Sequence, residues 1–197
     1  MSHPLSAFRC GLLLLLLTAA AKASPISAGI WYEFGFDPVH FGASGCQPED
    51  PSGVPCRAGI RTVNLGTPPW TFTSQSPVDF IITDGLLAGD SFQVLDFGSR
   101  VGSTPSVARS GHSCGLDPRI CVIDPEMSHN SFLLPPGNHS ITISVNAAQI
   151  LGEGFFRLNP VPETSTFLLL AFGLAFLACW CRAAVKCRTA SKVASWI

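Results

Sequence analysis

Residues 164 to 181 carry no charged side chain, and few folds can hide such a stretch. As a helix its 18 positions would reach roughly 27 Å, close to the ~30 Å of a bilayer core. Phe167, Leu168, Leu169, Leu170, Phe172, Leu174, Phe176 and Leu177 all favour insertion. At roughly 0.3 to 0.6 kcal/mol each, they contribute on the order of 2 to 5 kcal/mol. Pro162 suits the approach to a helix start, and Ser165 or Thr166 supplies an N-cap. Arg182 can snorkel, so one transmembrane helix is expected over about 164–184. The tail over 182–197 holds Arg182, Lys186, Arg188 and Lys192 and no acid. Basic residues on that flank assign it to the cytoplasm and the preceding chain to the outside. A buried core helix is the competing reading, and the asymmetric flanks count against it.

The other terminus has a shorter apolar run. Gly11 to Ala21 follows Arg9 and includes six consecutive leucines. Eleven residues are too few to span a membrane comfortably and suit a signal-peptide core. Ala21 and Ala23 flank Lys22 in a small-x-small cleavage pattern, which sets the expected mature start at Ser24. The alternative is an uncleaved N-terminal anchor. Residues 1–23 then form a signal peptide, 24–159 an exported domain, and 160–197 an anchoring segment.

Val161, Pro162, Glu163, Thr164 and Ser165 precede the apolar span, and the basic tail follows it. This order resembles the PEP-CTERM sorting signal of Gram-negative envelope proteins. The resemblance implies recognition by exosortase, a membrane peptidase, and a setting in the cell envelope or an exopolysaccharide matrix. Thr164 stands at the place of the family's second proline, and the basic residues are spread over a longer tail. Trp70-Thr71-Phe72-Thr73, the stretch Gly89 to Val94 and the stretch Pro136 to Ile141 also resemble segments of uncharacterised exported domains with this signal.

Between the two apolar runs lie about 140 residues, enough for one domain with a real core. All 13 acids of the chain fall between Ser24 and Glu163, against six arginines and no lysine, a formal charge of −7. That balance excludes nucleic acid as a partner on electrostatic grounds. Cys46, Cys56, Cys114 and Cys121 are an even set in an exported domain and read as disulfides. Three pairings are open; Cys46–Cys56 and Cys114–Cys121 are favoured because each pair flanks a short Gly/Pro/Asp loop. Zinc is disfavoured by the spacing, and no cofactor is expected. Cys179, Cys181 and Cys187 lie at the inner membrane edge as thiols.

Strand signals recur with no helical period. Ile30 to Phe34 is rich in strand formers but alternates loosely. Trp70 to Thr73 and Val78 to Thr83 follow, with Leu86 to Asp90 as a turn or bulge. Ser91 to Phe97 alternates cleanly, with Phe92, Val94 and Phe97 assigned to the core side. Residues 99–128 read as irregular. Ser131 to Leu134, His139 to Val145 and Gly154 to Leu158 complete the set, and residues 159–162 form a short linker. Short strands with Gly/Pro turns between them predict an all-β fold, an antiparallel β-sandwich or jelly-roll ectodomain.

Candidate chemistry is sparse. Gly111-His112-Ser113-Cys114-Gly115 matches a hydrolase nucleophile pattern, with Asp117 or Asp124 and then His129 or His139 in order. The motif needs a strand before and a helix after, and no helix pattern follows. Asp84, Asp90, Asp96, Asp117, Asp124 and Glu126 are calcium-ligand candidates without EF-hand spacing. His40, His112, His129 and His139 show no paired metal spacing. Trp31 and Trp70 are candidates for a sugar-binding face, with core packing as the favoured reading. The expectation is a non-catalytic, membrane-anchored envelope protein. The alternatives are a carbohydrate- or calcium-binding module and, third, an esterase-type hydrolase.

Overall fold

The computed structural model describes residues 23–38, 42–146 and 151–162, with Leu170, Phe172 and Leu174 beyond them. Strands dominate. One five-stranded sheet runs in the order β1 (Ser24–Pro25), β4 (Trp70–Ser74), β11 (Gly137–Asn146), β7 (Ser91–Asp96), β8 (Ser99–Ser103). A second runs β10 (His129–Leu134), β5 (Val78–Asp84), β12 (Gly152–Pro160), β2 (Trp31–Phe36), β3 (Thr62–Asn64). A two-stranded ladder joins β6 (Leu86–Leu87) to β9 (Ser113–Gly115), and α1 (Pro118–Cys121) is a single turn capped by Asp117.

Both sheets contribute to one hydrophobic core. Trp70, Phe92, Val94, Ile141, Ile143 and Val145 come from the first sheet. Tyr32, Phe34, Phe36, Phe80, Ile82, Phe156 and Leu158 come from the second. The period-2 pattern explains this placement in β11, where Ile141, Ile143 and Val145 are buried and the residues between them are half-exposed. β2 departs from alternation because it is buried along its whole length. Its second face is covered too, and a strand covered on both sides needs no polar side. On that second face Trp31 and Phe155 pack with Ala88, Met127 and the Cys114–Cys121 pair.

Glycine placement in β12 is tied to the core rings. Gly154 pairs directly with Phe34 and Gly152 with Phe36. A Cβ at Gly154 would run into the Phe34 ring, and one at Gly152 into the Phe36 ring. Each ring therefore lies across a strand position that only glycine leaves open. Gly154→Ala is expected to lower stability by about 1–3 kcal/mol through overpacking, read as a drop in the urea midpoint.

The structure corrects several expectations. The sheets are mixed, since β1–β4 and β2–β3 pair in parallel and the other pairings are antiparallel. Residues 99–128 are not wholly irregular: β8, β9 and α1 fall there. β12 continues through Pro160, and the Val161 N–H bonds the Pro77 carbonyl at 3.1 Å. The linker read at 159–162 is thus mostly docked chain. Phe97 does not face the core; it is 67% exposed. It follows β7 in a two-residue turn, which takes it out of the strand's alternation.

Residues 1–22, and with them Ala21 and all of the expected signal peptide but Ala23, lie outside the described residues. So do Glu163, Thr164, Ser165, the basic tail Arg182, Lys186, Arg188 and Lys192, and most of the expected span at 164–184. Leu170, Phe172 and Leu174 are helical and exposed. Among the described residues no helix is long and apolar enough to cross a membrane. Ser24 opens the first strand: its N–H bonds the Pro69 carbonyl at 3.1 Å and its hydroxyl the Thr67 carbonyl at 3.0 Å.

Candidate functional site

The outer face of the first sheet carries a cleft of about 550 Å³. Trp70, His139 and Ile141 point inward, so alternation turns Thr71, Thr73, Asn138 and Ser140 outward. Register sets them in two rungs, Thr71 opposite Ser140 and Thr73 opposite Asn138. Thr73 Oγ1 donates to Asn138 Oδ1 at 2.7 Å. Pro25 of β1 and the exposed ring of Phe97 form the walls. His139 is at the edge of this cleft but buried. Its Nδ1 lies 2.7 Å from Asp96 Oδ2, its Nε2 2.9 Å from the Pro135 carbonyl, and its ring stacks on Phe72 at 4.5 Å. Among the described residues no Asp, Glu, Lys or Arg lines the cleft.

Phe97 stands there at a conformational cost. The β7–β8 hairpin turns through Phe97 at φ +47° and Gly98 at φ +76°. Two positive φ angles in a two-residue turn favour Asn-Gly or Gly-Gly. A bulky aromatic residue at positive φ is an outlier, costing of order 1–3 kcal/mol. The Phe97 N–H bonds the Ser140 carbonyl at 2.9 Å, which fixes the turn beside the polar rungs.

The second sheet has a different outer face, sealed by loops. Cys46 and Cys56 are bridged with their Cα atoms 5.4 Å apart, and Cys114 and Cys121 with theirs 5.0 Å apart. Val54 of the loop closed by the first bridge covers Gly35, and the chain just after it, from Arg57 to Thr62, covers Glu33 and Glu153. Glu33 Oε2 accepts from the Gly59 N–H at 2.8 Å and the Thr62 hydroxyl at 2.9 Å, and Glu153 Oε1 accepts from the Arg57 N–H at 2.6 Å. Their other oxygens, Glu33 Oε1 and Glu153 Oε2, are buried and have no hydrogen-bond partner among the described residues. Burial raises both carboxyls above the usual range, against the pull of these hydrogen bonds, and for Glu153 the charge of Glu33 adds to it. Glu33, Cys46 and Cys56 bring one oxygen and two sulfurs within 4.8 Å, but both sulfurs are committed to the disulfide.

The six calcium candidates scatter to four places. Asp84 and Asp90 sit together with Arg109, whose guanidinium lies 3.7 Å from Asp90 Oδ1. Burial, then the charge of Asp90, pushes Asp84 up to about 8. Burial also raises Asp90, opposed by Arg109. Asp96 serves His139. Asp117 caps α1 and is clamped by Arg119, whose hydrogen bonds hold the carboxyl down to about 2. Asp124 and Glu126 flank His112, with Asp124 Oδ2 at 2.7 Å and Glu126 Oε2 at 3.8 Å. The Asp124 contact raises the His112 imidazole and lowers the Asp124 carboxyl.

The nucleophile-like motif is not assembled as hydrolase chemistry needs. Ser113 is on β9, its hydroxyl accepts from the Gly115 N–H at 3.1 Å, and neighbouring Cys114 is bridged. His129 Nδ1 is engaged with the Met127 carbonyl and His139 with Asp96. Trp31 and Trp70 are both buried, so neither offers a sugar-binding surface. His40 lies outside the described residues. Sequence reading missed the Phe97 cleft. Its one visible signal was the Phe97-Gly98 pair, where an aromatic residue replaces the usual turn residue.

The fold and the cleft together define a class: a β-rich, disulfide-bonded domain with an uncharged cleft on one sheet. No family model, curated protein or solved structure matches the chain.

Proposed function

We propose that this chain is a non-catalytic envelope protein. Its two sheets pack as a β-sandwich that is exported, held by one C-terminal helix, and sorted by a PEP-CTERM-like signal. Its work is structural or adhesive. The observation that carries this reading is the pairing of all four cysteines between 24 and 163 into two bridges. Disulfides of this kind persist in oxidising compartments. The acidic balance of the same stretch and the basic tail add support. Processing would act at Pro162-Glu163, immediately after the last strand, so a released domain would lose no part of its sheets.

Expression of the full chain in a Gram-negative host tests this. Protease treatment of spheroplasts should cut between residues 24 and 160 and spare the tail after Arg182. The four domain cysteines should alkylate only after reduction. Replacing Cys46 and Cys56 together by serine should lower stability by about 2–3 kcal/mol. Co-expression with an exosortase should shorten the chain, and Pro162→Ala with Glu163→Ala should prevent that. Recovery as a cytosolic protein with free thiols would sink the proposal.

A further inference from the structure

We propose that the cleft between Pro25 and Phe97 binds an uncharged saccharide chain. The inference rests on the exported reading and names the ligand class that reading leaves open. The Phe97 turn is its first support. A phenyl ring there is largely exposed, strained and outside the core, so little of it packs against the fold to offset the strain. Gly or Asn would close the same hairpin with less strain. A ring retained at that cost and aimed at solvent is suited to contact with a ligand.

The neighbouring groups select the ligand. The floor offers three hydroxyls and one amide, from Thr71, Thr73, Ser140 and Asn138, on two adjacent strands. Each both donates and accepts, which matches hydroxyl groups that do the same. The walls are apolar: the Phe97 ring on one side and Pro25 on the other. A pyranose has the corresponding surfaces, with C–H groups on its face and hydroxyls around its rim. An aromatic face meeting the C–H side leaves the hydroxyls free to reach the floor. Among the described residues no Asp, Glu, Lys or Arg side chain lines the cleft, so no side chain there provides a counter-charge for phosphate, uronate or a basic peptide. Its volume lies within the range of small-molecule sites. The strands beneath are rigid: Trp70 and Ile141, beside the floor residues, are fully buried. The outward polar groups are thus already arranged before a ligand arrives.

The test uses the full chain in a zwitterionic, sugar-free detergent. Cellohexaose, laminarihexaose and mannohexaose are titrated by calorimetry, with oligoalginate as the charged comparison. At least one neutral hexasaccharide should bind, and oligoalginate should bind at least tenfold more weakly. Phe97→Asn should weaken binding at least tenfold while raising the melting temperature by a few degrees, because it relieves the turn. That opposite movement separates a lost contact from a misfolded variant. Asn138→Ala should weaken binding severalfold at unchanged melting temperature. The proposal is overturned if no neutral probe binds, if Phe97→Asn binds as well as the parent, or if oligoalginate is preferred. It is also overturned if sedimentation shows the cleft closed by a second copy, in a dimer that Phe97→Asn dissociates. A correctly shaved, oxidised protein that ignores all three probes would sink this inference and leave the envelope reading standing.

Discussion

Phe34→Ala is expected to remove about 3–5 kcal/mol of stability, against a total of about 5–15 kcal/mol for a domain of this size. The ring is fully buried and touches rings from both sheets. Phe36 lies at 6.4 Å, Trp70 at 6.0 Å and Phe156 at 6.1 Å, and Phe92 meets it edge-on at 5.3 Å. Truncation would leave a void walled by four aromatic rings on strands held in register. Such walls cannot collapse inward, and cavity cost grows with the volume left unfilled. Gly154, opposite Phe34, has no side chain to fill the space. The same geometry makes a second outcome specific. A methyl at Gly154 overpacks the parent core but would enter the void of Phe34→Ala. The double variant should therefore be more stable than the sum of the two single losses predicts, by at least 1 kcal/mol. Urea unfolding monitored by near-ultraviolet circular dichroism reads all three variants. Additive losses would show that the ring and the glycine do not share one space.

How far the sequence carried this picture depends on where each residue's partners lie. β11 and β7 were legible because one face of each is core and the other is not, so polarity alternates along the chain. The first residues of β2 were legible only by composition. Glu33 and Gly35 interrupt the pattern because loops from residues 46–62 and 113–127 cover that side, and nothing in β2 itself announces them. β3 and β8 are edge strands of three and five residues with little buried surface, so their sequences hold no strong period to read. The cysteine pairs were favoured from loop length because each bridge closes a local turn. The cleft was illegible for a different reason. It is built from threonines, serine and asparagine that look like any solvent face, brought together by the register of β4 with β11. Phe97 was misassigned because the hydrophobic label was followed past the end of the strand into a turn.

The pH dependence of stability should be large and of unusual sign, and Asp84 is its main source. The side chain is fully buried at the end of β5. Its Oδ1 accepts from the Gly85 N–H at 2.9 Å and its Oδ2 from the Asp90 N–H at 3.1 Å. Neither bond offsets burial and the neighbouring Asp90 carboxyl, and the group is pushed from 3.8 up to about 8. The folded protein therefore keeps a proton that the unfolded chain releases above pH 4. Stability from this site is complete below pH 4, declines as pH rises through the window to 8, and is flat beyond it. At about 1.4 kcal/mol per pH unit, that window sets a ceiling of about 6 kcal/mol on the loss. Burial raises Glu33, Asp90 and Glu153 as well, so their contributions decline in the same direction. Asp117 and Asp124 are lowered by their hydrogen bonds from Arg119 and His112. Burial alone would raise Asp50, but bonds from Ser52, Thr67 and Gly45 outweigh it and lower that carboxyl too. These three contribute stability that is lost as pH falls below the ordinary carboxyl value, so the maximum should lie near pH 4 to 5. Asp84→Asn has no proton to lose. Its amide turns one of the two acceptors into a donor, which should cost about 1–3 kcal/mol at pH 4. Its stability should fall far less towards pH 8, so the two curves should cross. Urea midpoints for both proteins at pH 4, 6 and 8 would show that crossing; a parent curve that rises from pH 4 to 8, or a variant that keeps the parent slope, would remove Asp84 as the cause.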